Sequence, residues 1–204
     1  MKIVIATHNK DKFKELYFGL KSLNIELLSL DDFPEIGEII EDGDTLEANA
    51  LIKARTVYKL TSLPTISDDT GLSVDALNGA PGVYSARYAG ENCTYLDNVN
   101  KMLSEMKNIP EDKRGANFST VMAYVDGKRE LIAEGVVKGV ISNKIKGIGG
   151  FGYDSIFYVC NKGKTFSEMS IEEKNLISHR SKAIEVLKAE LAPYLTNLNI
   201  EENA

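Results

Sequence analysis

The chain has 204 residues, 43% of them hydrophobic and 26% charged, with a net charge of −6. That much apolar material supports one domain with a buried core and excludes a disordered chain. The acidic balance argues against a broad nucleic-acid or membrane-surface binder, while leaving room for a local basic pocket. Two cysteines, Cys93 and Cys160, lie far apart without a partner motif, which excludes a disulfide scaffold and a zinc site.

In chain order, Ile3–Ala6 reads as a buried strand that breaks at Thr7-His8-Asn9. The apolar run is too short for a signal peptide, and no stretch of about 18 apolar residues follows, so no membrane helix is predicted and the cytoplasm is the expected location. Phe13, Leu16, Tyr17 and Leu20 follow helical spacing, giving a helix over about residues 10–21. Ile25–Leu28 is a second strand. Leu46, Ala50, Ala54 and Val57 mark the apolar face of a second helix, which ends near Leu60. Thr65–Ser67 is a third strand, expected to stop at Asp68-Asp69. Residues 78–92 read as loop and Tyr95–Met106 as helix. Ala116–Val125 and Glu130–Ile141 are long β-prone runs joined by Asp126-Gly127-Lys128, a hairpin signal. Ser155–Val159 is another strand. A helical tail runs from Ser170 to about Leu191, opened by a capping box of Ser170 and Glu173, with a break near 177–178 and a stop at Pro193. The order of elements predicts an α/β fold with a mixed sheet. The domain is placed at residues 1–195, with a frayed tail at 196–204.

Four segments carry candidate chemistry. Asp68 and Asp69 are adjacent carboxylates whose mutual repulsion a divalent metal would relieve, although Asp-Asp-Thr-Gly is also good turn chemistry. At the start of the first helix, Lys10, Lys12 and Lys14 sit where free backbone amides favour an anion and the helix dipole disfavours cations. Phosphate binding there competes with a plainer reading in which Asn9 only caps the helix and the lysines are solvated. Asn49 and Lys53, four apart, share a helix face behind an acidic run of Glu38, Glu41, Asp42 and Asp44. Late in the chain, Gly147–Gly152 formally matches G-x-G-x-x-G, but a β-rich segment follows it, so a dinucleotide loop is rejected. Its Phe151 suits stacking on a base, with Tyr153 and Asp154 beside it. The alternative is a flexible turn whose aromatics return to the core. His179-Arg180, with Lys174 before them, can donate to a purine oxygen, or are ordinary surface residues.

Together these segments resemble the non-canonical purine NTP pyrophosphatases, the inosine/xanthosine triphosphate pyrophosphatase (Ham1-like) family. The resemblance covers about residues 3–191. It rests on Thr7-x-Asn9-x-x-Lys12, on Asp42-Gly43-x-Thr45 followed by Asn49-Ala50-x-x-Lys53-Ala54, and on Ser67-Asp68-Asp69-Thr70-Gly71-Leu72. Further matches are Gly79–Tyr88, Gly149-Gly150-Phe151-Gly152-Tyr153-Asp154, and Glu173-Lys174 with Ser178-His179-Arg180. It implies an elongated, twisted mixed sheet flanked by helices in two lobes with a central cleft, usually in a homodimer. It also implies Mg²⁺-dependent hydrolysis of ITP, dITP and XTP to the monophosphate and pyrophosphate. By motif, Thr7, His8, Asn9, Lys10, Asp11 and Lys12 would hold the phosphates, with Asn49 and Lys53 as further substrate contacts. Asp69 would bind metal and act as the base, Asp68 would help hold the metal or orient Asp69, and Thr70 would touch substrate. Phe151, Gly152, Tyr153, Asp154, Lys174, His179 and Arg180 would form the nucleoside pocket. The pattern departs before the Asp42-Gly43 step, where many relatives carry two acids and this chain has Ile40-Glu41. Glu41 is therefore the expected second metal ligand, with Glu38 in reserve. Two other readings of the same residues are a pyrophosphatase for modified pyrimidine triphosphates, as in the Maf-like group, and a nucleotide-binding regulator without turnover.

Overall fold

Strand β1 (Lys2–Ile5) alternates its side chains between two faces, and both faces are buried. Ile3 and Ile5 enter one apolar cluster, Val4 and Ala6 another, as befits a strand with parallel neighbours on both sides. The computed structural model describes residues 1–201. It contains an open, mixed eight-stranded sheet flanked by helices, with β4 (Pro81–Gly82) paired to β3 (Thr65–Val74) off the main path. The main path runs β2 (Glu26–Ser29), β1, β3, β5 (Gly115–Val125), β6 (Glu130–Ile141), β7 (Phe157–Val159), β8 (Lys164–Thr165).

The chain forms two compact units. One comprises Met1–Asp69, Thr120–Gly135 and the chain from Arg180 onward; the other comprises Thr70–Ser119 and Val136–His179. Strands β3, β5 and β6 each contribute to both. In the first unit, α1 (Lys10–Leu20) and α5 (His179–Glu201) cover one sheet face, with Leu16, Leu20, Ile184, Leu187 and Leu191 packed on Ile3, Ile5, Ile66 and Met122. On the other face, α2 (Leu46–Thr61) lays Ala50 and Ala54 against Val121, Ala123 and Val125 of β5. Each buried Leu or Ile contributes roughly 1.5–3 kcal/mol. In the second unit, α3 (Tyr95–Glu105) presents Val99 and Met102 to a core of Leu72, Val74, Phe118, Phe157 and Phe166. The short α4 (Ile171–Asn175) begins at the expected capping box of Ser170 and Glu173.

Two expectations are corrected. Strand β3 does not stop at Asp68-Asp69 but runs on to Val74. Strand alternation sends the two carboxylates to opposite sides, which lowers the repulsion that a shared strand end would have imposed. Pro193 does not end the last helix either, since α5 continues to Glu201. The proline forfeits one backbone hydrogen bond, but Leu187, Leu191 and Leu195 before and after it are all buried in the same cluster and hold the helix to the sheet. Of the tail expected at 196–204, residues 202–204 lie outside the described residues. The break before α5 falls at Ser178, as the capping pattern predicts. Among the described residues no helix is long and apolar enough to cross a membrane.

Candidate active site

In the first unit, polar side chains from β3, α1, α2 and α5 gather around the two aspartates. Asn9 caps α1 through Oδ1, which accepts from the amides of Asp11 and Lys12 at 3.0 and 3.1 Å, while Thr7 Oγ1 accepts from the Asn9 amide. The cap turns the helix so that Lys12 reaches inward to Asp68 at 3.3 Å, whereas Lys10 and Lys14 stay exposed. Asp68 is wholly buried and accepts from both Nε and Nη2 of Arg180, at 3.3 and 3.1 Å. Arg180 in turn is tied to Glu15 through Nη1. Burial alone would raise the Asp68 pKa, but Lys12, Arg180 and Lys53 outweigh it and hold the carboxyl well below the usual range.

Asp69, one residue on, faces α2. Its Oδ2 accepts from Asn49 Nδ2 at 3.3 Å, and its Oδ1 lies 3.4 Å from Lys53 Nζ. Lys53 also binds Glu41, so one ammonium holds two carboxylates. Burial pulls the Lys53 pKa down, yet Asp69, Glu41 and Asp68 together raise it, and the group stays charged. Lys12 has the opposite balance: burial, with Lys53 and Arg180 nearby, lowers it against the pull of Asp68 and Asp69. The three cations are matched by four carboxylates, Glu15, Glu41, Asp68 and Asp69, so an arriving phosphate must compete with them for Lys12 and Lys53. The small residues Ala50 and Ala54 let α2 lie close on the sheet, and Ser67 Oγ donates to the Ala50 carbonyl at 2.5 Å, which fixes the height of Asn49 and Lys53 over Asp69. The loop bearing Glu41 is pinned at His8, whose Nε2 donates to Gly37 O at 3.1 Å, and at Gly43, whose amide donates to Asn49 Oδ1 at 2.8 Å.

The second unit holds a separate aromatic cluster. The glycine-rich loop folds on itself because Asp154 accepts from the Phe151 amide at 2.9 Å and from Lys174 Nζ at 2.6 Å. Gly150 adopts φ +72°, and a Cβ there would lie 2.2 Å from the Asp154 carboxylate, so only glycine fits. Lys174 Nζ stands 4.8 Å above the Phe151 ring, a cation–π contact. His179 is buried and stacked on Phe118 with ring centroids 4.1 Å apart. Tyr153 points into the core and donates to the Ser85 carbonyl at 2.8 Å. A pocket of about 240 Å³ lies along this loop, lined by Tyr95, Ile148 and Phe151 among others.

The predicted residues thus sort by unit. Lys12, Glu41, Asn49, Lys53, Asp68 and Asp69 come together, while Phe151, Gly152, Tyr153, Asp154, Lys174 and His179 belong to the second unit, as does Thr70. Arg180 parts from His179: its guanidinium serves Asp68 and Glu15 in the first unit. Neither His179 nor Arg180 is an ordinary surface residue, since both are buried. Glu38 is exposed, and no ion pair joins it to the cluster among the described residues. Glu15 has no local signal for its pairing with Arg180, and Phe118 carried no signal beyond β-propensity. Ser85 lay inside the matched Gly79–Tyr88 motif, and its hydroxyl accepts from the Leu72 amide and donates to Gly82 O.

This fold and these clusters define a family. The Ham1 family model matches residues 3–190, and the chain belongs to that family. Among similar proteins is a dITP/XTP pyrophosphatase of Thermoanaerobacter sp. (strain X514), 49% identical over 92% of this chain and 95% of its own length. Another is the dITP/XTP pyrophosphatase of Escherichia coli (strain K12), 43% identical over 91% of this chain and 95% of its own. Among solved structures, the Staphylococcus aureus Ham1 protein superposes with a TM-score of 0.86 at 36% identity, covering 95% of this chain and all of that one.

Proposed function

We propose that this chain hydrolyses non-canonical purine nucleoside triphosphates (dITP, XTP and ITP) to the monophosphate and pyrophosphate with Mg²⁺, clearing them from the nucleotide pool. The observation that carries the reading is the convergence of Glu41 and Asp69 on Lys53, with Lys12 beside them, in a chain whose relatives bear the name dITP/XTP pyrophosphatase.

The residues present fit a magnesium ion. Glu41 and Asp69 already converge on one cation, the Lys53 ammonium, and Glu41 keeps 32% of its side chain exposed. Asp68 is committed to Lys12 and Arg180, which leaves it the positioning partner rather than a ligand. Among the described residues no three acidic, His or Cys side chains gather as a metal cage. Mg²⁺ suits such a site because it is held by one or two carboxylates and completes its shell with phosphate oxygens and water. When bound it supplies positive charge against the phosphate oxygens.

Asp69 takes the proton of the attacking water. The water oxygen bonds to the α-phosphorus, the bond to the bridging oxygen breaks, and pyrophosphate leaves with the electron pair. Lys12 and Lys53 stabilise the charge that grows on the leaving group. By the family resemblance, Phe151 would offer a stacking face to the base, and Lys174 and His179 donors to a 6-oxo group. The 6-amino group of adenine would set donor against donor. The Arg180 guanidinium, expected in the nucleoside pocket, bonds Asp68 and Glu15, which supports a role in fixing Asp68. A homodimer in the cytoplasm follows from the family resemblance.

The test is a panel of dITP, ITP, XTP, dATP, dUTP and a methylated pyrimidine triphosphate, with Mg²⁺ and with chelator, scoring pyrophosphate against free phosphate. Pyrophosphate from dITP, ITP and XTP, lost with chelator, is expected. Asp69→Asn is expected to lower turnover by about 10²–10⁴-fold while nucleotide still binds. Release of single phosphates, preference for the pyrimidine, or near-normal turnover by the Asn variant would each overturn the reading.

A further inference from the structure

Asn49 sits in the first turns of α2 with only 2% of its surface exposed, in a helix whose other buried residues are Ala50, Lys53, Ala54 and Val57. Asparagine is a poor helix former, and a buried amide is costly unless both of its ends are satisfied. Both ends are matched here. The carbonyl oxygen accepts from the Gly43 amide at 2.8 Å, and the amino group donates to Asp69 Oδ2 at 3.3 Å. A reversed amide would set donor against N–H and oxygen against carboxylate, so the two partners fix its orientation. The loop comes so close to the helix that a Cβ on Gly43 would lie 2.7 Å from Ala48 Cβ and 2.8 Å from Asn49 Oδ1.

Two struts therefore join the Glu41 loop to Asp69. One is ionic, from Glu41 through Lys53 to Asp69, and the other neutral, from Gly43 through Asn49 to Asp69. When a triphosphate and its metal arrive, they compete for every charge in the first strut. In the second, only the terminal Asp69 carboxylate is charged, and its links, the Gly43 amide and the Asn49 side chain, are neutral.

We infer that Asn49 is a positioning residue, not a substrate contact: it holds the Glu41 loop and the Asp69 carboxylate at a fixed separation while Lys53 is reassigned to phosphate. This rests on the proposed roles of Asp69 and Glu41. Partners of this kind, behind the groups that touch the metal, typically contribute about 10–100-fold in metal affinity or activity.

The experiment compares wild type, Asn49→Leu, which loses both bonds, and Gly43→Ala, whose added Cβ pushes the loop away from Ala48 and the Asn49 carbonyl oxygen. Measured are kcat and KM for dITP, the melting temperature, and the dissociation constant of Mn²⁺ by titration calorimetry with a non-hydrolysable dITP analogue present. Expected in both variants are a kcat lowered by about 10–100-fold, Mn²⁺ binding weakened about tenfold, and KM changed by less than about threefold. A raised KM with kcat intact would make Asn49 a substrate contact and overturn the inference. So would a lowered melting temperature with kinetics and Mn²⁺ affinity unchanged, which marks a purely structural residue. If Asn49→Leu does not fold, Gly43→Ala decides alone. A wild type that releases no pyrophosphate from dITP would defeat the proposed function instead, and that result is separable from either variant outcome.

Discussion

At the scale of single residues, charge is arranged by pairs that lie on opposite sides of one strand. Asp68 turns to Lys12 and Arg180, and Asp69 to Asn49 and Lys53. The adjacency of the two acids was plain in the sequence, but their division was not, because it depends on β3 continuing past them. Likewise His179-Arg180 reads as one motif, yet the two side chains serve different surroundings. Lys53 offers the sharpest residue-level prediction. Lys53→Met leaves Glu41 and Asp69 facing one another without a cation. Removing one partner of a buried ion pair costs about 3–5 kcal/mol, and the partial exposure of Glu41 puts this case toward the low end. The expected result is a lower melting temperature in metal-free buffer, with a larger rise on adding MgCl₂ than wild type shows. Equal magnesium shifts in both proteins would mean that Lys53 does not hold the place a metal takes.

At the scale of elements, periodicity and capping located most helices and strands, and the errors fall where tertiary packing overrides local rules. The β5–β6 hairpin came from Asp126-Gly127, and the structure shows why the aspartate is there. Asp126 accepts from the amides of Lys128 and Arg129 and from the hydroxyls of Tyr124 and Tyr194, the last at 2.6 Å. Burial pushes its pKa up, but Tyr194, the two amides and Tyr124 bring it below the ordinary value. A carboxyl whose native pKa is depressed stabilises the fold fully above its unfolded pKa, about 3.9, and loses that contribution as pH falls through the lower native value. Asp126→Asn cannot titrate. Its melting temperature is expected to fall less steeply than that of wild type between about pH 5 and pH 2, as measured by circular dichroism. Parallel curves would remove Asp126 from the acid response. Pro193 teaches the reverse lesson: a residue that stops helices in isolation is carried through when buried leucines on both sides pay more than one lost hydrogen bond.

At the scale of the molecule, each unit has its own apolar core, and the polar clusters stand on the elements that those cores fix. Leu187, at 1% exposure between α5 and the sheet, belongs to the first of them. Leu187→Ala is expected to cost about 2–5 kcal/mol in urea unfolding, since a cavity is left as well as buried area lost. Turnover per folded molecule should hold within about twofold, because small core losses leave distant polar geometry in place. A large fall in turnover at unchanged stability would show that the α5 contact tunes the site directly. The sequence by itself determined the class of fold, the helix starts and the residue types of the site, because caps, periodicity and carboxylate–lysine motifs are local and survive without three-dimensional context. Only the tertiary structure decided which group meets which: that Arg180 clamps Asp68, that Lys53 spans Glu41 and Asp69, and that Asn49 ties a loop to Asp69. Such pairings join residues up to 165 positions apart, as Arg180 and Glu15 are, and their geometry is set by how closely small side chains let helices approach the sheet, a quantity no local pattern encodes.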